Sequence, residues 1–169
     1  MPLSFFEKKY ENCIVNNTTL KKQECSITNI PQSAVVVDLD EAGSPLLKKS
    51  RCDYLVILSN GDSEITAFGI ELKGGNLDAS KVGKQLRSTT TYVNGLNCIN
   101  DFFPIVLFKS VSHPSQMKKI RNIKLKYGSE DKRIILCKCG DTFMKVLSEA
   151  NKTKNGTIKK VSASNNKMI

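Results

Sequence analysis

Three residues in the middle of the chain have the types and the spacing that metal-assisted phosphoryl chemistry requires. Asp53 enters an apolar run at residues 54–57, and Glu71 and Lys73 end a second apolar run that begins at Phe68. Two carboxylates can hold a divalent cation, which stabilises charge on a phosphoryl group and activates a water. A lysine beside them can orient that water and neutralise charge in the transition state. The pattern therefore predicts a site for phosphodiester hydrolysis.

A β-hairpin is predicted to bring these residues together. Asn60-Gly61 separates the two apolar runs, and this pair favours a hairpin turn because both residues tolerate positive φ. We predict antiparallel strands over residues 52–58 and 64–73. Side chains alternate between the two faces of a strand, so the acid and the lysine of the second strand lie on one face. Asp53 would then lie on the neighbouring strand beside them.

A helix is predicted directly after the second strand. Asp78 is a typical N-cap, and the helix is expected to continue to about Asn94. Lys81 and Gln85 fall in its first two turns, close to the end of the strand; Gln85 is interpreted either as a site residue or as a surface amide. The face that packs on the sheet has a 4-3-4-3 spacing and consists of Val82, Leu86, Thr89, Val93 and Leu96.

The other segments predict a single α/β domain over residues 1–150. A β-branched strand at 33–39 would extend the hairpin into a three-stranded meander. The continuous apolar run 104–108 and the segment 133–137, which is apolar after Arg133, predict strands that are covered on both faces. Residues 15–33 are polar and are predicted to form a loop. The expected fold is therefore a central mixed β-sheet flanked by helices.

At these residues the chain resembles the PD-(D/E)XK nuclease superfamily, whose fold is restriction-endonuclease-like. That family has an acid on one strand, Glu-X-Lys on its hairpin partner and then a helix. Here these elements are Asp53, the Glu-Leu-Lys run at 71–73 and the helix from Asp78. The resemblance covers roughly residues 35–110. Cys52 stands where the family name has proline, a position that varies.

The resemblance implies roles for individual residues. Asp53 and Glu71 would be catalytic metal ligands for Mg²⁺ or Mn²⁺, and the Leu72 carbonyl would be a further ligand. Lys73 would be the catalytic lysine, and Gln85 would support the site. The resemblance thus implies a metal-dependent nuclease, and two copies of the chain would form a homodimer if both DNA strands are cut, as in many members of the fold.

The ligand set is not complete from the sequence. The family's first helix often supplies another acid, and Glu7, Glu11 and Glu24 are all candidates. Asp38, Asp40 and Glu41 are interpreted as turn residues before Gly43 rather than as ligands, because Asp side chains hydrogen-bond their own backbone two residues on. The third ligand therefore stays open.

The charge of the chain is uneven. The net charge is +10; residues 151–169 contribute +5, and residues 118–138 carry eight basic residues against two acidic ones. Such basic segments favour a polyanion partner, since neutralised phosphates release counterions. We expect DNA, with RNA also open, and a disordered tail over 151–169. The residues predicted to contact the nucleic-acid backbone are Lys81, Lys118, Lys119, Arg121, Lys124 and Lys126.

The cysteines and the hydropathy predict an intracellular setting. The chain has six cysteines and no basic-then-apolar leader, so we expect a cytoplasmic protein with reduced thiols. No run of about 18 apolar residues is present, so no membrane span is expected. A metal cluster built from Cys13, Cys25, Cys137 and Cys139 is disfavoured, because the last two are separated by one residue where metal-binding pairs leave two or more.

Two other functions compete with a DNA nuclease. A non-catalytic module of the same fold would keep the basic surface and bind nucleic acid or protein within a larger assembly. An iron–sulfur nuclease would use the cysteines. Metal binding through Asp53 and Glu71 separates the enzyme from the module, and visible absorbance separates the iron–sulfur protein from both.

Overall fold

A computed structural model describes residues 2–61, 63–111 and 113–153. Within these residues the elements are, in chain order, α1 (Leu3–Lys9), β1 (Leu20–Lys22), β2 (Cys25–Ile27), β3 (Val35–Asp38), β4 (Tyr54–Asn60), β5 (Glu64–Lys73), α2 (Ala79–Gly95), β6 (Asp101–Phe108), α3 (Pro114–Asn122), β7 (Lys124–Tyr127), β8 (Glu130–Arg133), β9 (Ile135–Lys138) and α4 (Phe143–Thr153).

A five-stranded mixed sheet forms the centre of the molecule, in the order β3-β4-β5-β6-β9. The first three strands pair antiparallel, and β5, β6 and β9 run parallel. The predicted hairpin of β4 and β5 is confirmed, with Asn60 opposite Glu64. Gly61 has the positive φ of 75° that the turn requires, whereas Asn60 is the last residue of β4. The prediction of an α/β fold with a mixed sheet flanked by helices is confirmed.

Apolar cores lie on both faces of the sheet. On one face α1 and α2 contribute Phe6 and Val82, and the small β7–β8 sheet contributes Leu125. On the other face the β1–β2 hairpin contributes Leu20 and α4 contributes Phe143. The strands are therefore covered on both sides, which explains their nearly continuous apolar sequences.

The helix α2 forms where the sequence predicts it. Asp78 is its N-cap, and the carboxylate accepts hydrogen bonds from the N–H groups of Ser80 and Lys81 at 2.9 and 3.1 Å. This capping satisfies backbone donors that have no partner within the first turn. The predicted inward residues are buried except for Leu96, which packs partly buried against the core. The cap and the apolar stripe together direct α2 from the end of β5 back across the sheet.

The prediction of a loop over residues 15–33 is wrong. This segment contains the β1–β2 hairpin, in which Leu20, Cys25 and Ile27 are buried. Its strands are three residues long, and the residue at the turn is Gln23, with a φ of 52°, rather than glycine. The short strands and the absence of a glycine remove the usual hairpin signals from the sequence, and the hairpin is stabilised by burial against the sheet.

Several predicted boundaries also change, and β4, for example, covers Tyr54–Asn60 rather than residues 52–58. The predicted strand over 133–137 is divided, because β8 ends at Arg133 and β9 begins at Ile135. The final helix continues to Thr153, beyond the predicted domain end at residue 150. Of the predicted disordered tail, residues 154–169 lie outside the described part of the chain.

Two cysteines form a disulfide, which contradicts the prediction of six reduced thiols. Cys25 of β2 pairs with Cys139, which lies between β9 and α4 and is 114 residues away. The four-cysteine cluster that the sequence disfavours does not form, since Cys13 packs in the core on the α2 face and Cys137 in the core on the opposite face. The disulfide attaches the β1–β2 hairpin to the end of the sheet where β5, β6 and β9 terminate.

None of the helices in the described residues has the length and apolar character needed to cross a bilayer. The cytoplasmic location stays a prediction. The Cys25–Cys139 disulfide does not favour it, because disulfides persist mainly in oxidising compartments.

Breaking the disulfide should weaken the fold. We expect Cys139→Ser to lower the free energy of unfolding by about 2–4 kcal/mol, because the unfolded chain loses the constraint of a long closed loop. Urea denaturation without reductant measures this change. Cys98→Ser is the control, since Cys98 is a free, half-buried thiol. Thiol titration of the unfolded parent should detect the four free cysteines and, after reduction, all six; six without reduction would contradict the disulfide.

Candidate active site

The candidate site lies at the end of the central sheet where β4 begins and β5 ends. Asp53 directly precedes β4, and its N–H donates to the carbonyl of Ile70 at 3.0 Å. One oxygen of its carboxylate, Oδ2, accepts a hydrogen bond from the Leu72 N–H at 2.7 Å. These two bonds hold Asp53 beside the final residues of β5, and the predicted neighbourhood of Asp53 and Glu71 is confirmed.

Glu71, Lys73 and Gln85 form a connected cluster on the α2 face of the sheet. The Nζ atom of Lys73 lies 2.5 Å from Oε1 of Glu71 and 3.1 Å from Oε1 of Gln85. The strand therefore supplies the acid and the lysine, as the alternation predicts, and α2 supplies the amide. Of the two interpretations of Gln85, contact with the site is the one observed.

Glu71 is a buried carboxylate with an unusual electrostatic environment. It is 1% exposed, and its second oxygen, Oε2, has no hydrogen-bond partner among the described residues. Burial and then the nearby charge of Asp53 raise the pKa of Glu71 to about 7, although the ammonium of Lys73 and a hydrogen bond with the Gln85 side chain oppose this shift. The site thus contains a carboxyl group whose ionised form lacks sufficient positive charge and hydrogen bonding.

Leu72 contributes to the site through its backbone. Its side chain is buried in the core on the opposite face of the sheet, as the alternation predicts. Its N–H positions the carboxylate of Asp53. The role of its carbonyl as a metal ligand stays a prediction.

Lys22 and Asp40 are site residues that the sequence analysis did not identify. Nζ of Lys22 lies 2.9 Å from Oδ1 of Asp53 and also forms an ion pair with Asp40. Asp40 is bound in turn by the guanidinium of Arg51, at 2.9 Å. Lys22 belongs to the short β1–β2 hairpin on the other face of the sheet, so its approach to Asp53 depends on a tertiary contact that no local pattern signals.

The other candidate acids do not complete the site. Glu7 and Glu11 are exposed, and Glu24 pairs with Lys109 at 2.6 Å. No hydrogen bond or ion pair in the described residues joins any of these acids to Asp53 or Glu71. Asp38 forms the predicted Asx-type turn, in which its Oδ1 accepts from the N–H of Asp40 at 2.9 Å.

The side chains that could hold a metal ion are the carboxylates of Asp53 and Glu71. Among the residues described, no group of three or more His, Cys, Asp or Glu side chains is arranged to hold a metal ion. Asp53 and Glu71 lie together and offer oxygen ligands, of which Oε2 of Glu71 is unpaired in the described structure. A hard divalent cation that keeps several waters needs no larger protein donor set.

The predicted basic residues lie on exposed surfaces, and those of α2 and α3 are the nearest to the site. The amide oxygen of Gln116, in α3, accepts a hydrogen bond from the N–H of Ala79 at 2.9 Å. This contact places α3 at the start of α2, close to the end of β5. The predicted residues are all exposed, and they are Lys81 on α2, Lys118, Lys119 and Arg121 on α3, and Lys124 and Lys126 on β7.

The chain matches no family model, no curated protein and no solved structure. The resemblance to the nuclease superfamily consequently stays a hypothesis, and function has to be argued from the geometry of the site.

The raised pKa of Glu71 predicts a specific pH dependence of stability. Because the folded state binds the Glu71 proton more tightly than the unfolded state, the free energy of unfolding falls as pH rises from 4.5 to about 7. The loss should be on the order of 3 kcal/mol. In EDTA, urea denaturation at about pH 5 and about pH 8 should show that Glu71→Gln removes this part of the pH dependence.

Glu64→Gln is the matched control, since Glu64 is exposed at the start of the same strand. It should leave the pH dependence of the parent nearly unchanged. Equal effects of the two substitutions would mean that the burial of Glu71 does not cause the pH dependence of the free energy of unfolding.

Proposed function

We propose that this protein is a metal-dependent nuclease that hydrolyses DNA phosphodiester bonds, built on a restriction-endonuclease-like core. The single observation that carries the proposal is the buried Glu71 carboxylate, which has one oxygen on Lys73 and the other without a partner in the described residues. A buried ionised group of this kind costs free energy unless it is paired. Its place beside Asp53 suggests that a bound cation is the partner.

The two carboxylates suit Mg²⁺ or Mn²⁺, which take oxygen ligands. Asp53 and Glu71 would hold the ion, and the Leu72 carbonyl is a further ligand if the resemblance extends that far. When bound, the ion supplies charge stabilisation at the phosphoryl group and an activated water. The hydrogen bond from the Leu72 N–H orients Asp53 through Oδ2, while Oδ1 lies on Lys22, which a metal ion at this atom would displace.

Lys73 is the residue assigned to the reacting phosphate. Its ammonium is held between Glu71 and Gln85 and is largely buried, so its position is determined before substrate binds. A fixed cation stabilises charge that develops on a phosphoryl oxygen more effectively than a mobile one, because it needs no reorganisation. Gln85 acts on this lysine as a positioning residue.

A cleavage assay tests the proposal. Plasmid and single-stranded DNA are incubated with the protein and Mg²⁺, Mn²⁺ or EDTA. We expect metal-dependent cutting that Lys73→Ala reduces by about 100-fold or more, because a preorganised charge is removed, while DNA binding is largely retained. Glu71→Gln should abolish the response to metal.

Lys109→Ala is the matched control for Lys73→Ala. The N–H of Lys109 donates to the carbonyl of Lys73 at 3.1 Å, so it lies at the same end of the sheet, but its side chain is half exposed and pairs with Glu24. Its substitution should leave cutting unchanged. Absence of cutting by the folded parent protein on every substrate would refute the nuclease.

A second candidate is a non-catalytic binding module, and the position of Lys22 favours it. The ammonium of Lys22 already lies on Asp53, where a metal ion would compete with it. If Lys22 and Lys73 are the permanent partners of the two acids, the cluster is a structural ion-pair network. The two candidates differ in whether a divalent cation binds at these carboxylates.

Removing the charge of Lys22 should therefore strengthen metal binding by the enzyme. We expect Lys22→Met to raise Mn²⁺ affinity about fivefold, which corresponds to about 1 kcal/mol for a partly exposed ion pair. The free Mn²⁺ signal in electron paramagnetic resonance measures this affinity.

Lys21→Met makes the same change in net charge at the exposed neighbouring residue. Its effect on Mn²⁺ affinity should be small. If neither the parent nor Lys22→Met binds Mn²⁺, the binding module is the correct function.

A further inference from the structure

A second feature of the molecule is a groove between α2 and the loop that precedes β4. Its volume is about 680 Å³. The loop is braced by Arg51, whose guanidinium donates to the carbonyls of Leu47 and Lys49 at 2.9 and 3.0 Å. The N–H of Cys52 donates to the Thr89 hydroxyl at 3.1 Å, which attaches the end of the loop to α2. The walls of the groove are thus held in place before any ligand binds.

The charged residues of the groove are all basic. Lys49 comes from the loop, and Lys84 and Arg87 come from α2. All three are exposed, and none has an ion-pair partner among the described residues. None of the residues that line the groove, all of which are described, is acidic. Three unneutralised cations around one concave surface attract an anion that extends over several of them.

The remaining lining is apolar or carries hydroxyl groups. Leu46, Tyr92 and Leu96 contribute apolar surface. Tyr92 is half-buried, and its hydroxyl is hydrogen-bonded to the hydroxyl of Tyr10 at 2.7 Å, which fixes the ring. A fixed aromatic ring with aliphatic neighbours is a surface on which a nucleic-acid base can stack. Ser88 and Thr91 add hydroxyl groups on the α2 side.

The groove begins next to the candidate active site. Lys84 directly precedes Gln85, which contacts Lys73, and Ser50 lies three residues before Asp53. A strand that follows the groove along α2 would therefore lead toward the carboxylates. The basic residues of α3 and β7, in contrast, are exposed and do not line the groove.

We propose that this groove binds single-stranded nucleic acid, with phosphates at Lys84 and Arg87 and a base against Tyr92. The inference rests on the proposed function for its polyanion partner and specifies the path of the substrate. A single strand fits the combination of a basic rim and an apolar floor, because its bases are free to stack, whereas the bases of a duplex are paired and enclosed.

Binding in EDTA tests the groove separately from catalysis. Fluorescence anisotropy is measured with a labelled oligothymidylate of about 12 nucleotides, at several salt concentrations. We expect Lys84→Gln with Arg87→Gln to weaken binding about tenfold and to reduce the salt slope of log affinity by about 1.4, since each phosphate contact on a single strand contributes about 0.7. Both residues are exposed, so the melting temperature should not change.

Lys8→Gln with Lys145→Gln is the matched control, since it removes the same charge from exposed residues of α1 and α4 that neither line the groove nor belong to the predicted nucleic-acid contacts. It should leave the salt slope unchanged. Three results would each refute the proposal that the groove binds single-stranded nucleic acid. They are an equal effect of the two double variants, tighter binding of the corresponding duplex, and no binding by the parent. If the groove variant loses binding and the protein cleaves no DNA, the groove is supported as a binding site and the proposed nuclease function is refuted.

Discussion

Glu71 lies on the central strand of the sheet, almost without contact with water, and an ionised carboxylate in that position requires partners. Lys73 neutralises one oxygen, and Gln85 holds Lys73 from α2. Asp53 adds a second negative charge nearby, which makes the ionised form of Glu71 less favourable. Glu71 and its neighbours therefore connect the end of β5 to α2 and to the start of β4. In the proposed function a divalent cation would be the additional partner of this carboxylate.

The two faces of the sheet contribute differently to the site. The α2 face supplies the acid–lysine–amide cluster, whereas the opposite face supplies Lys22 from the β1–β2 hairpin. The hairpin is held to the end of the sheet by the Cys25–Cys139 disulfide and by the hydrogen bond from the Gly140 N–H to the Ser26 carbonyl, at 2.7 Å. Lys22 is thus placed on Asp53 by contacts that lie outside the site itself.

The distribution of charge in space differs from its distribution along the chain. In the sequence, the basic residues concentrate at 118–138, which predicts a nucleic-acid interface in this segment. In the structure these side chains are spread over α3, β7, β8 and β9, with Lys132 buried against Asp101 at 2.6 Å. The three cations of the groove come from two separated segments, so a local charge count does not identify them. A concave basic surface concentrates the potential more strongly than an exposed helix does.

The sequence by itself determined the β4–β5 hairpin, the cap and inward face of α2, and the neighbourhood of Asp53, Glu71 and Lys73. Each of these follows from a local rule, namely turn chemistry, helix capping or the alternation of side chains along a strand. Only the tertiary structure decided that Gln85 contacts Lys73, that Lys22 reaches Asp53 and that Cys25 pairs with Cys139. These contacts join residues between 12 and 114 positions apart, and their geometry depends on how the layers pack, which local sequence patterns do not encode.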